Sequence, residues 1–415
     1  MLNTGLYKVI PITLRPIYFK FALFLKKLLI SIRFFIFCYS EAAQRGKNNF
    51  LPNATLVVVG LFSSATGIGR GAYMMWRQMK KDGRLVEAID VTATVSGHAA
   101  EQLEGVVDGG GFQKLQPGPI VIHLNPPEFE TLYFKLPIKL RRRSRIIAYW
   151  AWELEIMPKA WRRAARLCDE IWVPSEFVAE AVRRLLGSEA VQQVQVVPHP
   201  FDGGEQKPQD PWVKMATRAR YGFSNDEFIA GYSFAFSSNF ARKNPLAAIR
   251  AFQKAFPAHI YISAKLLLRY RDGNIWPHGI TMLKTEAEND NRILLFDEIE
   301  AKINIEHFYD LLDVYISLHR SEGYGLTLME AANRGIRVIT TGWWLANDIS
   351  NHPKVASVGW SLIPVEDPQM IYNVPGAYWA EPDIDDAANK LYAISVIAHV
   401  PMAACVTVGL PGRLH

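Results

Sequence analysis

Residues 314–330 read Val-Tyr-Ile-Ser-Leu-His-Arg-Ser-Glu-Gly-Tyr-Gly-Leu-Thr-Leu-Met-Glu. The apolar run 314–319 predicts a buried strand, the Gly-Tyr-Gly sequence predicts a turn, and the apolar spacing over 326–334 predicts a helix. A strand that passes through a glycine turn into a helix is typical of an open parallel sheet. The free backbone N–H groups and positive dipole at such a helix start favour a phosphate beside Glu322.

The same alternation of strands and helices runs through most of the chain. In the first half, a strand over 55–60 leads through a glycine-containing loop, Gly67–Gly71, to a helix over 72–81, and further strands are predicted at 120–124, 145–149, 170–174 and 194–197. In the second half, strands are predicted at 228–234, 261–268, 293–296, 314–319 and 338–341, with helices at 245–256, 305–312 and 326–334. Residues 202–211 lack period and apolar content, which indicates a linker. The predicted fold class is therefore α/β, with two Rossmann-like domains whose parallel sheets face each other across a cleft.

Charge is distributed unevenly along the 415 residues. The chain carries +6 overall, but residues 1–50 contain eight basic residues and one acid, so the remainder carries −1. A general nucleic-acid surface on the folded body is therefore not indicated. The three cysteines, Cys38, Cys168 and Cys405, form neither a metal motif nor a disulfide framework, which favours a reducing cytosol. The predicted domains are a basic arm at 1–50, a first Rossmann-like domain at 51–204, a second Rossmann-like domain at 205–386 and an atypical C-terminal segment at 387–415.

Within the arm, residues 17–39 alternate apolar side chains with four cations. On a helix, Lys20, Lys26, Lys27 and Arg33 fall within an arc of roughly 160°, opposite an apolar face. No uncharged run approaches the ~18 residues needed to cross a bilayer. The pattern predicts a helix lying on an anionic membrane surface, so that the protein would be cytoplasmic and peripheral to the inner membrane. A signal-like segment and a helix packed on the body are the alternatives.

Two further features predict a ligand site in the second half. Arg242 and Lys243 follow the predicted strand 228–234, and Pro245 suits a first helical turn. An Arg fork and a Lys point charge bind a diphosphate in complementary ways. Glu322 and Glu330 can each accept two hydrogen bonds from a pair of sugar hydroxyls. The alternatives are a solvated charge pair and acids that stabilise a helix dipole.

These segments resemble a known enzyme family. The segment 322–339, the Arg242-Lys243-Asn244-Pro245 helix start and the Gly67-Ile68-Gly69 loop are similar to those of the retaining, nucleotide-sugar-dependent glycosyltransferases of family 4, which have the GT-B fold. Residues 147–155 (Ile-Ala-Tyr-Trp-Ala-Trp-Glu-Leu-Glu) and 172–177 (Trp-Val-Pro-Ser-Glu-Phe) resemble a bacterial branch that acts on surface polysaccharides. The similarity runs from about residue 55 to residue 386.

The resemblance implies that 51–204 is the acceptor domain and 205–386 the nucleotide-sugar domain, and it implies a role for each matching residue. The implied catalytic residues are Glu322 at the transferred sugar, His123 near the reacting sugar, and Arg242 and Lys243 on the diphosphate. The residues implied to bind the donor are Gly67, Gly69, Arg242, Lys243, Gly323, Tyr324, Gly325, Leu326 and Glu330. For His123, a hydrogen-bonded histidine at a strand end is the alternative.

The implied activity is transfer of a sugar, with GDP-mannose as the first guess for the donor, to a lipid-linked or oligosaccharide acceptor with retention. No metal and no cofactor besides the nucleotide-sugar substrate is expected, because Arg242, Lys243 and a helix end can stabilise the leaving group. Asp383 and Asp385 have the spacing used by metal-dependent glycosyltransferases of another fold, but acids in a first helical turn explain them.

A basic cluster precedes two tryptophans, Trp150 and Trp152, and comprises Lys139, Arg141, Arg142, Arg143 and Arg145. The cluster indicates either a solvated helix end or a surface that receives a lipid-linked diphosphate, and the tryptophans either stack on sugars or form core.

Two other functions fit part of the sequence. Gly67-x-Gly69-x-x-Ala72 with Glu87 satisfies a dinucleotide fingerprint and would indicate an NAD-dependent oxidoreductase, although the distance from Gly60 to Gly67 is long for it. Residues 392–415 are apolar and broken by prolines, where the family has a long helix packed across the first domain. A non-catalytic nucleotide-sugar-binding protein is therefore the second alternative.

Overall fold

The computed structural model describes residues 32, 54–64, 66–96, 103–190, 193–200, 208–258 and 263–398. The chain forms two compact units, Met1–Trp152 with Ile156–Phe201 and Glu153–Glu155 with Asp202–His415. They are called the first and second units below. The predicted arm at 1–50, apart from Ile32, and residues 399–415 lie outside the described residues. Within the part of the chain that is described, no helix is both long and apolar enough to cross a membrane.

The first unit is built on a parallel sheet of seven strands. These are β1 (Leu56–Gly60), β2 (Val86–Asp90), β3 (Val106–Asp108), β4 (Pro119–His123), β5 (Arg145–Tyr149), β6 (Glu170–Val173) and β7 (Val194–Val196). Its helices are α1 (Gly67–Lys81), α2 (Thr92–Ser96), α3 (Pro126–Tyr133), α4 (Ile138–Arg143), α5 (Arg162–Ala165) and α6 (Glu176–Leu186). The central strands bury apolar runs such as Val58, Val121 and Ala148, as a sheet covered on both faces requires.

The strand order of the first unit is β3-β2-β1-β4-β5-β6-β7. The order reverses direction between β1 and β4, which pair in parallel from Val57 with Ile120 to Val59 with Ile122. Ligands of open parallel sheets bind at the carboxyl ends of the strands where the order reverses. In the first unit, the expected binding position therefore lies at the residues that follow β1 and β4.

The second unit repeats this plan with six parallel strands. These are β8 (Phe228–Ala235), β9 (Ala264–Arg271), β10 (Ile293–Asp297), β11 (Val314–Ser317), β12 (Arg337–Thr341) and β13 (Val355–Val358), in the order β10-β9-β8-β11-β12-β13. Its helices are α7 (Pro211–Arg220), α8 (Phe240–Lys243), α9 (Pro245–Ala255), α10 (Pro277–Glu288), α11 (Ile305–Leu311), α12 (Leu326–Asn333), α13 (Asn347–Ser350) and α14 (Ile384–Ala398). A two-stranded antiparallel pair, β14 (Trp360–Pro364) and β15 (Tyr378–Pro382), precedes α14. The order reverses between β8 and β11, so the corresponding binding position follows these two strands.

The α/β class and the two Rossmann-like parallel-sheet domains are confirmed, but several predicted bounds are wrong. The helix α1 begins at Gly67 and not at residue 72, because Oγ1 of Thr66 accepts a hydrogen bond from Gly69 N at 3.3 Å and Arg70 N donates to Thr66 O at 2.9 Å. The strand predicted at 261–268 is observed at Ala264–Arg271, and β2, β3, β13 and the β14–β15 pair were not predicted. Helix α14 runs across residue 387, and the predicted domain boundaries, including a C-terminal segment at 387–415, stay predictions.

Candidate functional site

The predicted cations and the first predicted glutamate meet at the reversal point of the second unit. Arg242 and Lys243 lie in α8, which follows β8, and Glu322 lies in the loop between β11 and α12. Because β8 and β11 are neighbours, the segments that leave their carboxyl ends are brought together although they are about 80 residues apart in the chain.

The single turn of α8 is held by asparagines with left-handed backbones at both ends. Asn239 has φ 78° and accepts a hydrogen bond from Arg242 N at 2.8 Å, and Asn244 has φ 49° and ends the turn before Pro245 starts α9. Asparagine adopts this conformation at lower energy than most residues. The carbonyl of Arg242 also accepts from Arg320 N at 2.8 Å, which ties the turn to the loop that carries Glu322.

Glu322 lies between the two cations. Its Oε2 is 3.2 Å from Arg242 Nη1, and its Oε1 contacts Lys243 Nζ. The side chains of Arg242, Lys243 and Glu322 are 3%, 14% and 15% exposed, so the cluster is largely shielded from solvent while two of its members still reach it. Burial alone would raise the pKa of Glu322, but the charges of Lys243 and Arg242 outweigh burial and hold this pKa well below its usual value. Glu322 is therefore ionised at neutral pH.

The two cations differ in how many of their donors the protein uses. Nε and Nη2 of Arg242 donate to Ser238 O at 3.2 and 2.9 Å, and Nη1 donates to Ser321 O at 2.7 Å. Lys243 Nζ has three N–H donors, and Glu322 is its partner among the described residues. Burial lowers the pKa of Lys243, and the charge of Glu322 partly offsets this effect. Arg242 is thus anchored in the fold, and Lys243 is the cation with donors to offer a ligand.

Two residues at this position, Glu153 and Tyr372, are absent from the predicted site. Glu153 belongs to a three-residue segment that clusters with the second unit, and its Oε1 is 3.9 Å from Arg242 Nη2. Tyr372 Oη donates to Glu153 Oε2 at 2.8 Å, and the Arg242 guanidinium lies 5.6 Å from the centre of the Tyr372 ring. Glu153 lies within the quoted segment 147–155, so the sequence contained a signal for it, but the sequence contains no such signal for Tyr372.

The loop from Gly323 to Leu326 starts α12, as predicted. Gly325 has φ 98°, and a Cβ there would lie 2.9 Å from Leu328 Cδ1 and 3.0 Å from Ile349 Cδ1, so the position needs glycine. The side chain of Tyr324 is buried, and its hydroxyl donates to Asp348. The backbone of this loop, and not the Tyr324 phenol, is thus what α12 presents at its N-terminus.

Glu330, predicted to bind a ribose, lies on α12 and is 5% exposed. Its Oε2 accepts from Tyr309 Oη at 3.1 Å. One carboxylate oxygen is therefore engaged within the unit, and the ribose role stays a prediction.

In the first unit, Gly67 and Gly69 lie in the first turn of α1, directly after the loop that leaves β1. A Cβ on Gly69 would lie 2.3 Å from Leu61 O and 2.8 Å from Ser64 O, so the close approach of backbone explains this glycine without any ligand. Their contact with donor phosphates stays a prediction.

His123 ends β4 and is fully buried. Its ring stacks on Tyr149 with centroids 4.1 Å apart, and Nε2 lies 3.2 Å from Met75 Sδ. Burial, helped by the charge of His199, lowers the pKa of His123 well below its usual value, so the imidazole is neutral at pH 7. Nδ1 has no hydrogen-bond partner among the described residues. The alternative of a hydrogen-bonded strand-end histidine accounts for only one of its two nitrogens.

Glu87, the acid of the dinucleotide fingerprint, does not lie at the carboxyl end of a strand, where an NAD-dependent oxidoreductase would need it to bind the ribose. Glu87 is the exposed second residue of β2, near the amino end of the strand, and the residue at the carboxyl end is Asp90. Asp90 Oδ1 accepts from Thr92 N at 2.9 Å and from Thr92 Oγ1 at 2.6 Å, and Oδ2 accepts from Ser63. The geometry therefore gives no support to Glu87 as a ribose ligand.

The two tryptophans beside the basic cluster are core. Trp150 and Trp152 are 0% and 5% exposed, and both rings pack edge-on against Trp161. In the cluster itself, Arg145 pairs with Glu170, and the Arg141 guanidinium lies 5.7 Å from the Tyr133 ring centre. Both tryptophans therefore fit the core alternative, and part of the basic cluster is structural.

The described residues contain no group of three or more His, Cys, Asp or Glu side chains arranged to hold a metal ion. Asp383 Oδ1 accepts from Asp385 N at 2.9 Å and Asp386 N at 3.0 Å and so caps the start of α14, whose first turn contains Asp385 and Asp386.

The chain is similar to known proteins in its fold but matches none of them in the sequence comparisons. No protein-family profile matches the chain, and no curated protein matches its sequence. Among solved structures, Anabaena HepE in complex with UDP and glucose has a TM-score of 0.57 at 12% identity, over 83% of this chain and 93% of that one. A glycosyltransferase from Rickettsia africae has a TM-score of 0.57 at 14% identity, over 84% and 89%. Sucrose-phosphate synthase from Thermosynechococcus elongatus has a TM-score of 0.58 at 13% identity, over 83% and 90%.

Each similarity covers more than four fifths of both chains and therefore includes both Rossmann-like domains. The chain therefore has the GT-B fold of these glycosyltransferases.

Proposed function

We propose that the protein is a glycosyltransferase that transfers a sugar from a nucleotide-sugar donor to an acceptor. One observation carries the proposal: Arg242 and Lys243 converge on Glu322 where the strand order of the second unit reverses. Fold similarity adds support, since the solved structures with this fold include HepE bound to UDP and glucose. An NAD-dependent oxidoreductase is not favoured, because the fingerprint acid Glu87 lies away from the strand end.

The charges of the cluster suit departure of a nucleoside diphosphate. Breaking the bond between the anomeric carbon and the phosphate oxygen leaves negative charge on the diphosphate and positive charge on the sugar. Lys243 has two N–H donors beyond its contact with Glu322 and can donate them to phosphate oxygens. The start of α12 adds backbone N–H groups and a positive dipole end.

Glu322 is suited to the sugar side of the reaction. A carboxylate that stays ionised at neutral pH cannot act as a general acid, but it accepts hydrogen bonds from sugar hydroxyls and stabilises positive charge near the anomeric carbon. Arg242 orients this carboxylate from an anchored position. Transfer with retention and without a required metal is part of the proposal, supported by the family resemblance and by these cations at the leaving group.

The donor and acceptor are proposed more specifically. GDP-mannose follows from the family resemblance, and UDP-glucose is the second donor to test because HepE is seen with UDP-glucose. The proposed acceptor is a lipid-linked saccharide at the inner membrane surface, supported by the +7 charge of residues 1–50. Removing residues 1–45 should then move the protein from the membrane fraction to the soluble fraction, and an unchanged distribution would contradict this part.

A binding and turnover assay tests the function. We expect UDP or GDP, but not NAD, to raise the melting temperature, and labelled UDP-glucose or GDP-mannose to be hydrolysed or transferred. Glu322→Gln should abolish turnover, whereas the matched control Glu306→Gln, an exposed acid on α11, should leave it unchanged. Stabilisation by NAD alone would refute the proposal. Nucleotide binding with no sugar release from any donor would instead indicate a non-catalytic nucleotide-sugar-binding protein.

A further inference from the structure

Glu153 lies beside the candidate cluster, and the family resemblance assigns it no role. Its backbone carbonyl accepts a hydrogen bond from the hydroxyl of Ser321, the residue that precedes Glu322. Its Oε1 is 3.9 Å from Arg242 Nη2, while Glu322 Oε2 is 3.2 Å from Arg242 Nη1. The two carboxylates therefore face the two terminal nitrogens of one guanidinium.

Tyr372 fixes the other oxygen of the Glu153 carboxylate. The Tyr372 hydroxyl donates to Glu153 Oε2 at 2.8 Å, and burial raises the pKa of Tyr372 well above its usual value, so the phenol keeps its proton at pH 7. The backbone N–H of Tyr372 donates to Asp367 Oδ2 at 2.8 Å, and Asn239 Nδ2 donates to Asp367 Oδ1 at 2.6 Å. Asp367 therefore ties Tyr372 to Asn239, the N-cap of α8. These bonds hold the Glu153 carboxylate in one orientation, as a preorganised ligand contact requires.

The oxygen Oε1 of Glu153 is open to a ligand. It makes no hydrogen bond with the described residues, and its distance of 3.9 Å from Arg242 Nη2 is too long for one. The side chain is 22% exposed, and Oε1 is not one of the unpaired side-chain oxygens that are shielded from solvent. Oε1 therefore reaches solvent beside the cluster.

The charges around Oε1 determine which ligand group it can bind. A carboxylate oxygen is an acceptor with negative charge, so it repels a phosphate oxygen, which is also an acceptor. A cationic group would lie next to the Arg242 guanidinium, which repels it. The complementary group is a neutral donor, and a sugar offers its hydroxyls. A sugar that contacts Glu322 has hydroxyls near Glu153, because one guanidinium holds both carboxylates.

We propose that Glu153 Oε1 accepts a hydrogen bond from a hydroxyl of the donor sugar, which makes Glu153 a specificity-determining residue and Tyr372 the residue that positions it. This inference rests on the proposed transferase function and deepens it. Lys243 binds the diphosphate, while Glu322 and Glu153 accept hydrogen bonds from different hydroxyls of the sugar. Glu153 should therefore favour binding of the nucleotide sugar without favouring binding of the nucleotide.

Two variants test these two roles. Glu153→Gln removes the charge at nearly constant volume, and Tyr372→Phe removes the orienting hydroxyl but keeps a ring beside Arg242. Isothermal titration with UDP and UDP-glucose, and with GDP and GDP-mannose, measures each affinity. For the sugar nucleotide that wild type binds more tightly, we expect Glu153→Gln to weaken binding by about 10-fold, as loss of a charge-assisted hydrogen bond predicts. Affinity for the matching nucleoside diphosphate should stay equal or rise, because a negative charge near the phosphates is removed.

Tyr372→Phe should show a smaller loss of the same kind. The matched control is Glu366→Gln, which removes the same charge from an exposed acid of the loop that carries Tyr372 and should bind like wild type. Monodeoxy analogues of the donor sugar identify the hydroxyl. One analogue should bind wild type about 10-fold more weakly than the parent does, whereas Glu153→Gln should bind that analogue and the parent equally.

Equal losses for nucleotide and nucleotide sugar in a folded Glu153→Gln would overturn the inference. Unchanged affinity for the nucleotide sugar would also overturn it, and lower transfer at that unchanged affinity would assign Glu153 to the acceptor instead. If Glu153→Gln does not fold, wild-type affinities in Tyr372→Phe would overturn the inference. If neither variant folds, wild-type binding of every deoxy analogue as tightly as the parent would overturn it. Failure of wild type to bind any nucleotide or nucleotide sugar would overturn the proposed function as well.

Discussion

Replacing Lys243 by methionine removes the cation that we expect to bind the diphosphate while keeping most of the apolar stem. The fold should tolerate the change, because Glu322 keeps Arg242 at 3.2 Å and Lys243 Nζ contacts no other partner among the described residues. A charge-assisted hydrogen bond contributes about 1.5–3 kcal/mol. At about 1.4 kcal/mol per factor of ten, affinity for UDP or GDP should fall roughly 10- to 100-fold.

Isothermal titration at fixed ionic strength measures this change, and urea denaturation checks that the variant is folded. The matched control is Lys254→Met, which removes the same charge from the same unit at a side chain that is 55% exposed and pairs with the exposed Asp385. This control should bind like wild type, since exposed ion pairs contribute little. A folded Lys243→Met that binds both nucleotides as tightly as Lys254→Met would refute the assignment of Lys243.

Three further changes test other parts of the structure. Arg242→Ala should lower the free energy of unfolding by about 1–3 kcal/mol, because it leaves the Ser321 carbonyl without its buried donor and leaves Lys243 as the one cation in contact with Glu322 among the described residues; a urea midpoint equal to that of wild type would contradict this. Gly69→Ala should lower the free energy of unfolding by about 1–3 kcal/mol, because its Cβ would lie 2.3 Å from Leu61 O. The control Gly110→Ala should have little effect, because the space around its Cβ is open. Equal free energies of unfolding for the two variants would contradict this explanation of Gly69. Burial lowers the pKa of both His199 and His319 to about 4, so the unfolded chain binds more protons than the folded one between pH 6.5 and 4. The free energy of unfolding should therefore fall as the pH falls through this window, by on the order of a few kcal/mol for each histidine, and urea titrations showing constant stability would count against neutral buried rings.

The parts of the fold that could be predicted depend on local signals. The run 314–330 combines a buried strand, a glycine turn and a helix start, and each follows from residue types a few positions apart. The proximity of Arg242 and Glu322 could also be predicted from the sequence, because both residues come after strands whose carboxyl ends share one edge of a parallel sheet. Edge strands such as β3 and β13 were missed, since they are short and carry few buried apolar residues.

The parts of the site that were missed depend on contacts between distant segments. Glu153 joins the second unit through Tyr372, more than 200 residues later, and no local pattern indicates this pairing. Gly69 was predicted to lie in a phosphate-binding loop. In the structure, glycine is needed at this position because a side chain would collide with the carbonyl oxygens of Leu61 and Ser64.

The account depends most on where a nucleoside diphosphate binds. A crystal structure of the protein with UDP or GDP measures this directly. We predict that the phosphates lie within hydrogen-bond distance of Lys243 Nζ and of the backbone N–H groups at the start of α12. Phosphates bound away from Lys243, with the Lys243–Glu322 pair left undisturbed, would contradict the account.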